Sequence, residues 1–136
     1  MLLSQTAIYA LRCLAILITL EPGERLTGKT LSERTDVPHD YLNKVMRQLG
    51  QAGIVRAVRG NSGGFSMNRP SHKVRIADVL NAVDMQLDLG KCAFSTGNCV
   101  AAAPCALHAI WSSLQGRVGA WAEDTKLSDI DKTSHS

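Results

Sequence analysis

Three cysteines and a histidine stand close together in the C-terminal half of the chain. Cys92, Cys99 and Cys105 are spaced C-x6-C-x5-C, and His108 follows three residues later. Three soft thiolates and one imidazole make a donor set for zinc or for an iron–sulfur cluster. The same thiols without metal are candidates for reversible oxidation. Structural zinc sites use tight C-x2–4-C knuckles, which this segment lacks, whereas wide spacing on a loop suits a larger cluster. Spacing alone leaves all three chemistries open. Pro104 suits the first residue of a helix, and a helix N-terminus favours the thiolate form of Cys105. His108 then falls at i+3 on the same face. Cys13 lies in an apolar helical run and is expected in the core, outside this set.

A second group of residues has the chemistry to read a polyanion. His39, Asp40, Asn43, Lys44 and Arg47 recur on one side of a helical pattern, opposite Leu42, Val45, Met46 and Leu49. Asn43 suits an adenine edge, and Lys44 and Arg47 suit guanine or phosphate. Asp40 suits the positive end of a helix. Tyr41, at the margin of the apolar face, is either half-buried core or a phosphate contact through its hydroxyl. Further on, Arg59 precedes Gly60, Asn61, Ser62, Gly63 and Gly64, a glycine-rich tip with little bulk, so the arginine can enter a narrow minor groove.

These residues need particular elements to hold them. Ser4 is a plausible cap for a first helix running to Leu20, with Ile8, Leu11, Ala15 and Ile18 on its apolar face. Thr27 or Thr30 is a plausible cap for a short second helix ending near Thr35, and Val37-Pro38 forces a break. The reading helix follows from about His39 to Gln51. A short helix, a break and an amphipathic helix with a basic outer face form the helix-turn-helix pattern. Residues 54–58 alternate as a strand and Phe65-Ser66-Met67 suits a second, so a hairpin is expected between them. A hairpin placed there is a wing. Ile76, Val79, Leu80 and Val83 suit another short helix. From Pro104 a final helix carries Leu107, Ile110, Leu114, Val118 and Trp121 as a heptad-like seam, expected to meet its copy in a second subunit or else to pack on the N-terminal core. Gly116 and Gly119 on that helix suit close passage of another helix.

Charge is distributed unevenly. Net charge is only +3, yet residues 1–75 hold 11 Lys and Arg against 5 Asp and Glu, and residues 41–77 hold seven basic side chains and no acidic one. Such a block suits nucleic acid. No apolar run is long enough for a membrane span, and the N-terminal run, interrupted by Arg12, does not read as a signal peptide, so a cytoplasmic location is expected. No nucleophile–base set, P-loop or dinucleotide fingerprint is present, which argues against an enzyme. An electron-transfer protein would use the cysteines but leave the wing and basic block idle. A nonspecific architectural DNA binder would use the block but ignore sequence.

The run Tyr41 to Leu49, then Ala52-Gly53-Ile54-Val55, Val58-Arg59-Gly60, Gly63-Gly64-Phe65 and Arg69-Pro70, resembles the Rrf2 family of bacterial regulators. Ala10-Leu11-Arg12 and Ile76-Ala77-Asp78-Val79-Leu80 are similar to the same family, over about residues 1–125 in all. The resemblance implies a homodimeric, sequence-specific transcription regulator, a repressor, that binds double-stranded operator DNA. Its iron–sulfur members, of the IscR and NsrR types, sense nitric oxide, redox state or iron. By this resemblance Tyr41, Asn43 and Arg59 occupy DNA-contacting places, although IscR-type members carry a glutamate where this chain has Asn43. The three cysteines match the cluster-binding triad with a first gap one residue longer. A [4Fe-4S] or [2Fe-2S] cluster is therefore expected, with Cys92, Cys99, Cys105 and His108 as ligands. Ile8 stands where some relatives supply an aspartate ligand and cannot coordinate. The expected fold is mainly α with a small β-hairpin wing. It divides into a winged helix-turn-helix domain over 1–84, a cysteine loop over 85–104, a dimerisation helix over 105–126 and a flexible tail over 127–136.

Overall fold

The computed structural model describes residues 3–84 and 108–133. Helix α1 spans Gln5–Leu17, and the Ser4 hydroxyl accepts from the Ala7 N–H at 3.1 Å, satisfying one of the helix's free donors. The helix buries Ala7, Ala10, Cys13, Leu14 and Leu17. The stripe expected from sequence, Ile8, Leu11, Ala15 and Ile18, is only half-buried. The buried face is shifted by one residue, about 100° round the helix. Apolar residues occur on both sides of this helix, so periodicity could not decide which side the core would take.

Helix α2, Gly28–Thr35, starts at Thr27, whose hydroxyl accepts from the Thr30 N–H at 3.2 Å. It ends at Asp36, which takes the left-handed conformation at φ 58° and turns the chain into Val37-Pro38. Helix α3, His39–Gln51, packs Leu42, Val45, Met46 and Leu49 into the core as its pattern requires. Strands β1, Val55–Val58, and β2, Gly64–Met67, pair antiparallel with Ala57 opposite Phe65 and Val58 opposite Gly64. A 3-10 turn at Ser71–Lys73 leads to helix α4, Ile76–Ala82, which buries Ile76, Ala77, Val79 and Leu80. The fold is thus mainly helical with a two-stranded hairpin following α3.

The C-terminal part comprises helix α5, His108–Asp124, and helix α6, Leu127–Thr133. Residues 127–133 correct the expectation of a flexible tail from 127 onward. Leu127 is fully buried, and its N–H donates to the Val74 carbonyl at 2.9 Å. The Ile76 N–H donates to the Thr125 carbonyl at 2.9 Å, and Arg75 bridges Lys126. Two short segments distant in sequence therefore pair and fasten the end of α5 to the start of α4. The local sequence is polar enough to look frayed because only Leu127, buried, and Ile130, half-buried, are seen to pack on the core among the described residues. Leu107 and Cys105, expected on the final helix, lie outside the described residues.

Along α5 the seam expected from sequence is largely bare. Ile110, Leu114 and Trp121 are 68%, 40% and 42% exposed, whereas Ala122 on the same helix is buried. The option of this seam packing on the chain's own core is not realised at these three positions. Among the described residues nothing outside the helix's own backbone approaches Gly116 or Gly119 within 4 Å of where a side chain would begin.

Candidate nucleic-acid interface

Helix α3 displays on its outer side the residues its pattern assigned there: His39, Asp40, Asn43, Lys44 and Arg47 are all exposed. Four large apolar side chains hold the opposite side in the core, so the helix cannot rotate without unburying them. Pro38 supplies no side-chain cap, and Asp40 lies in the first turn, where its charge complements the unpaired N–H groups of the helix start.

Tyr41 is half-buried, with its ring edge-on to Tyr9 at 5.1 Å between centroids. Its hydroxyl and that of Thr6 share a 2.5 Å hydrogen bond. The side chain therefore ties α3 to the start of α1. Lys44 lies over the Tyr41 ring and Arg12 over the Tyr9 ring, with the charged groups 5.7 and 5.9 Å from the ring centres. Both are within reach of a cation–π attraction. Thr6 and Tyr9 were not picked out from sequence, and Arg12 was not read there as part of this surface. The Thr6–Tyr41 pair is separated by 35 positions, and only packing brings it together.

On the wing, Arg59, Asn61 and Ser62 are exposed, as is Arg56 on β1. Gly63 has a different task. Its N–H donates to the Gly60 carbonyl at 3.0 Å and is not offered outward. A side chain there would begin 2.2 Å from the Val58 carbonyl oxygen, which backbone cannot yield. At Gly64, φ 147°, a side chain would begin 2.6 Å from the Leu26 carbonyl oxygen. The glycines thus build the tip that carries Arg59.

The basic block separates in space. Arg75 is spent within the fold: it pairs with Asp78 at 3.0 Å and also with Glu123. The hydrogen bond from Arg75 is the largest cause holding the Asp78 carboxyl below the usual carboxylate range. Arg69 donates to the Lys73 carbonyl at 2.8 Å. Among the described residues, Arg47, Arg56 and Arg59 have no ion-pair partner and keep their charge for an outside anion.

Of the expected metal set, Cys92, Cys99 and Cys105 lie outside the described residues, and His108 is the first residue of α5. Cys13 is fully buried. Burial pushes its thiol up to about 11, with a hydrogen bond from Thr35 pulling the other way, so it is a poor ligand. No helix among the described residues is long and apolar enough to cross a membrane.

Comparison with known proteins gives a consistent result. The family Rrf2, described as iron-dependent transcriptional regulator, matches residues 3–133. The HTH-type transcriptional regulator IscR of Vibrio campbellii is 31% identical over 102 residues, covering 75% of this chain and 60% of that protein. An HTH-type transcriptional regulator of Neisseria meningitidis serogroup A is 31% identical over 100 residues, covering 74% and 67%. The chain spans about 60% of the length of the IscR proteins it first matches. In fold it is similar to CymR, the global cysteine regulator of B. subtilis, with TM-score 0.80, 17% identity and 96% of each chain covered. T. potens IscR gives TM-score 0.74 at 17% identity, covering 97% of this chain and 87% of that one. These relatives are transcriptional regulators, not enzymes.

Proposed function

The chain belongs to the Rrf2 family of transcriptional regulators, and from that premise we propose that it is a cytoplasmic, homodimeric repressor whose hold on operator DNA depends on an iron–sulfur cluster. The observation that carries the DNA part is the division of α3, with one face locked in the core and the other fully exposed, polar and basic. On this reading α3 enters the major groove, with Asn43, Lys44 and Arg47 at base edges and phosphates and with His39 and Asp40 at the helix start. Arg59 reaches the minor groove from the wing, flanked by Asn61 and Ser62, while Gly63 shapes the tip. Tyr41 serves through its ring and its bond to Thr6, which hold the helix in place. The bare seam of α5 supports association with a second copy, which would set the spacing of two reading helices for two half-sites.

The donor chemistry fits a cluster: three thiols and an imidazole are soft enough and numerous enough, whereas Cys13 and Ile8 are unsuited. Cys92, Cys99, Cys105 and His108 would hold it. When bound, a [4Fe-4S] or [2Fe-2S] group supplies a centre that oxidants, nitric oxide or iron limitation can alter. The chain's own contribution is mechanical. His108 begins α5, and the far end of α5 is fastened to the reading head through Arg75–Glu123, Ile76–Thr125 and Val74–Leu127. A change of position at the start of α5 is thereby passed to α4 and the core beneath α3. Only a centre that favours one arrangement over another can change DNA affinity in this way.

The test is anaerobic reconstitution followed by iron and sulfide analysis and titration onto operator DNA, with and without the cluster. A brown protein whose affinity changes about 5–150-fold on cluster removal is the expected result. Equal affinities reject the switch. Operator binding that responds to thiol oxidation in an iron-free protein would instead favour the same cysteines acting without metal.

A further inference from the structure

The wing does not stand free. Residues 25–28, which lead into and begin α2, hold its tip and the start of β2. The Leu26 N–H donates to the Phe65 carbonyl at 3.1 Å, and the Phe65 N–H donates back to the Leu26 carbonyl at 2.7 Å. Gly64 lies so close to the Leu26 carbonyl that no side chain fits there. A side chain at Gly28 would meet the Phe65 ring at 3.6 Å and the His39 imidazole at 3.5 Å. Beyond this ladder, at the tip itself, the Arg25 guanidinium donates through Nη1 to the Ser62 carbonyl at 3.1 Å. This is a charge-assisted bond across 37 positions, and it reaches the turn that begins with Arg59.

We propose that Arg25 is a positioning residue for the wing: its bond to Ser62 sets the pose of the tip turn, so Arg59 reaches its groove through Arg25. The proposal rests on the reading of Arg59 as a groove contact. Without that bond the Leu26–Phe65 pair is the nearest hydrogen-bonded tie between the tip and residues 25–28, and Arg59 would meet DNA from more orientations, at an entropic cost. Arg25 is exposed, so its removal leaves the core intact.

The test is a double-mutant cycle with the full chain, Arg25→Ala and Arg59→Ala, read by operator affinity and its salt dependence. Arg59→Ala is expected to weaken binding about tenfold, and Arg25→Ala about threefold or more without changing the salt slope. The double variant is expected to bind no more than about twofold more weakly than Arg59→Ala, because the two act as one. Multiplying losses overturn the proposal. So does a salt slope that falls by about one for Arg25→Ala, which marks a phosphate contact of its own. Hydrogen exchange at the Gly63 amide in the DNA-free protein supplies a reading independent of DNA. Exchange is expected to quicken in Arg25→Ala, and unchanged exchange overturns the clamp. If Arg59→Ala binds like the parent, the groove reading of Arg59 fails by itself, and the Gly63 exchange still decides the clamp.

Discussion

Arg75 and Arg59 have the same side chain and opposite fates. Arg75 sits at the start of α4 with a carboxylate three residues on and another across the molecule, and its charge is neutralised inside the fold. Arg59 sits on a hairpin tip with no acidic neighbour, and its charge remains available. Cys13 is withdrawn from chemistry in another way, by burial. Its thiol, pushed up to about 11 by burial, is held in the neutral form. That preference supports the fold below the thiol's ordinary range and is lost as pH rises toward 11. In native protein at pH 8, a maleimide reagent is therefore expected to leave Cys13 unlabelled and to modify it only on addition of denaturant. Mass spectrometry of the digested protein checks this, and rapid native labelling at Cys13 would contradict its burial.

At the scale of elements, the recognition unit is firm because each helix has a clear reason to start and stop. Ser4 and Thr27 cap α1 and α2, and Asp36 and Pro38 separate α2 from α3. The end of the chain works differently. Helix α6 starts with the fully buried Leu127, set beside the backbone pairing of 74–76 with 125–127. Leu127→Ala is expected to destabilise the protein by about 2–4 kcal/mol, measured by urea unfolding. The neighbouring exposed substitution Lys126→Ala is expected to change stability by less than about 0.5 kcal/mol. A Leu127→Ala variant as stable as the parent would mean that α6 adds nothing to the core.

Taken whole, the molecule is a reading head with a helix whose Ile110, Leu114 and Trp121 stay exposed among the described residues. Exposed Ile110, Leu114 and Trp121 on one helix are the kind of surface that association covers. Replacing Ile110 and Leu114 together by glutamate is expected to give a monomer by analytical ultracentrifugation, with little loss of monomer stability because both residues are already in water. Its operator affinity is expected to fall to that of a single half-site. A variant that stays dimeric would remove α5 from the interface and leave the half-site spacing without a cause.

The helix-turn-helix, the wing and the outer face of α3 were legible in the residues themselves. Capping, proline breaks, glycine turns and a clean 3.6-residue pattern are local effects that act within a few positions of one another. The two faces of α3 differ so sharply in polarity that only one orientation buries apolar area without burying charge. The side of α1 that turns inward was not legible, because both sides are apolar and either could be covered. Nor was the fate of Arg75, the clamp of Arg25 on Ser62, the tie of Thr6 to Tyr41 or the anchoring of Leu127. Each joins groups many positions apart, and the free energy of such a contact exists only once the chain between them has closed.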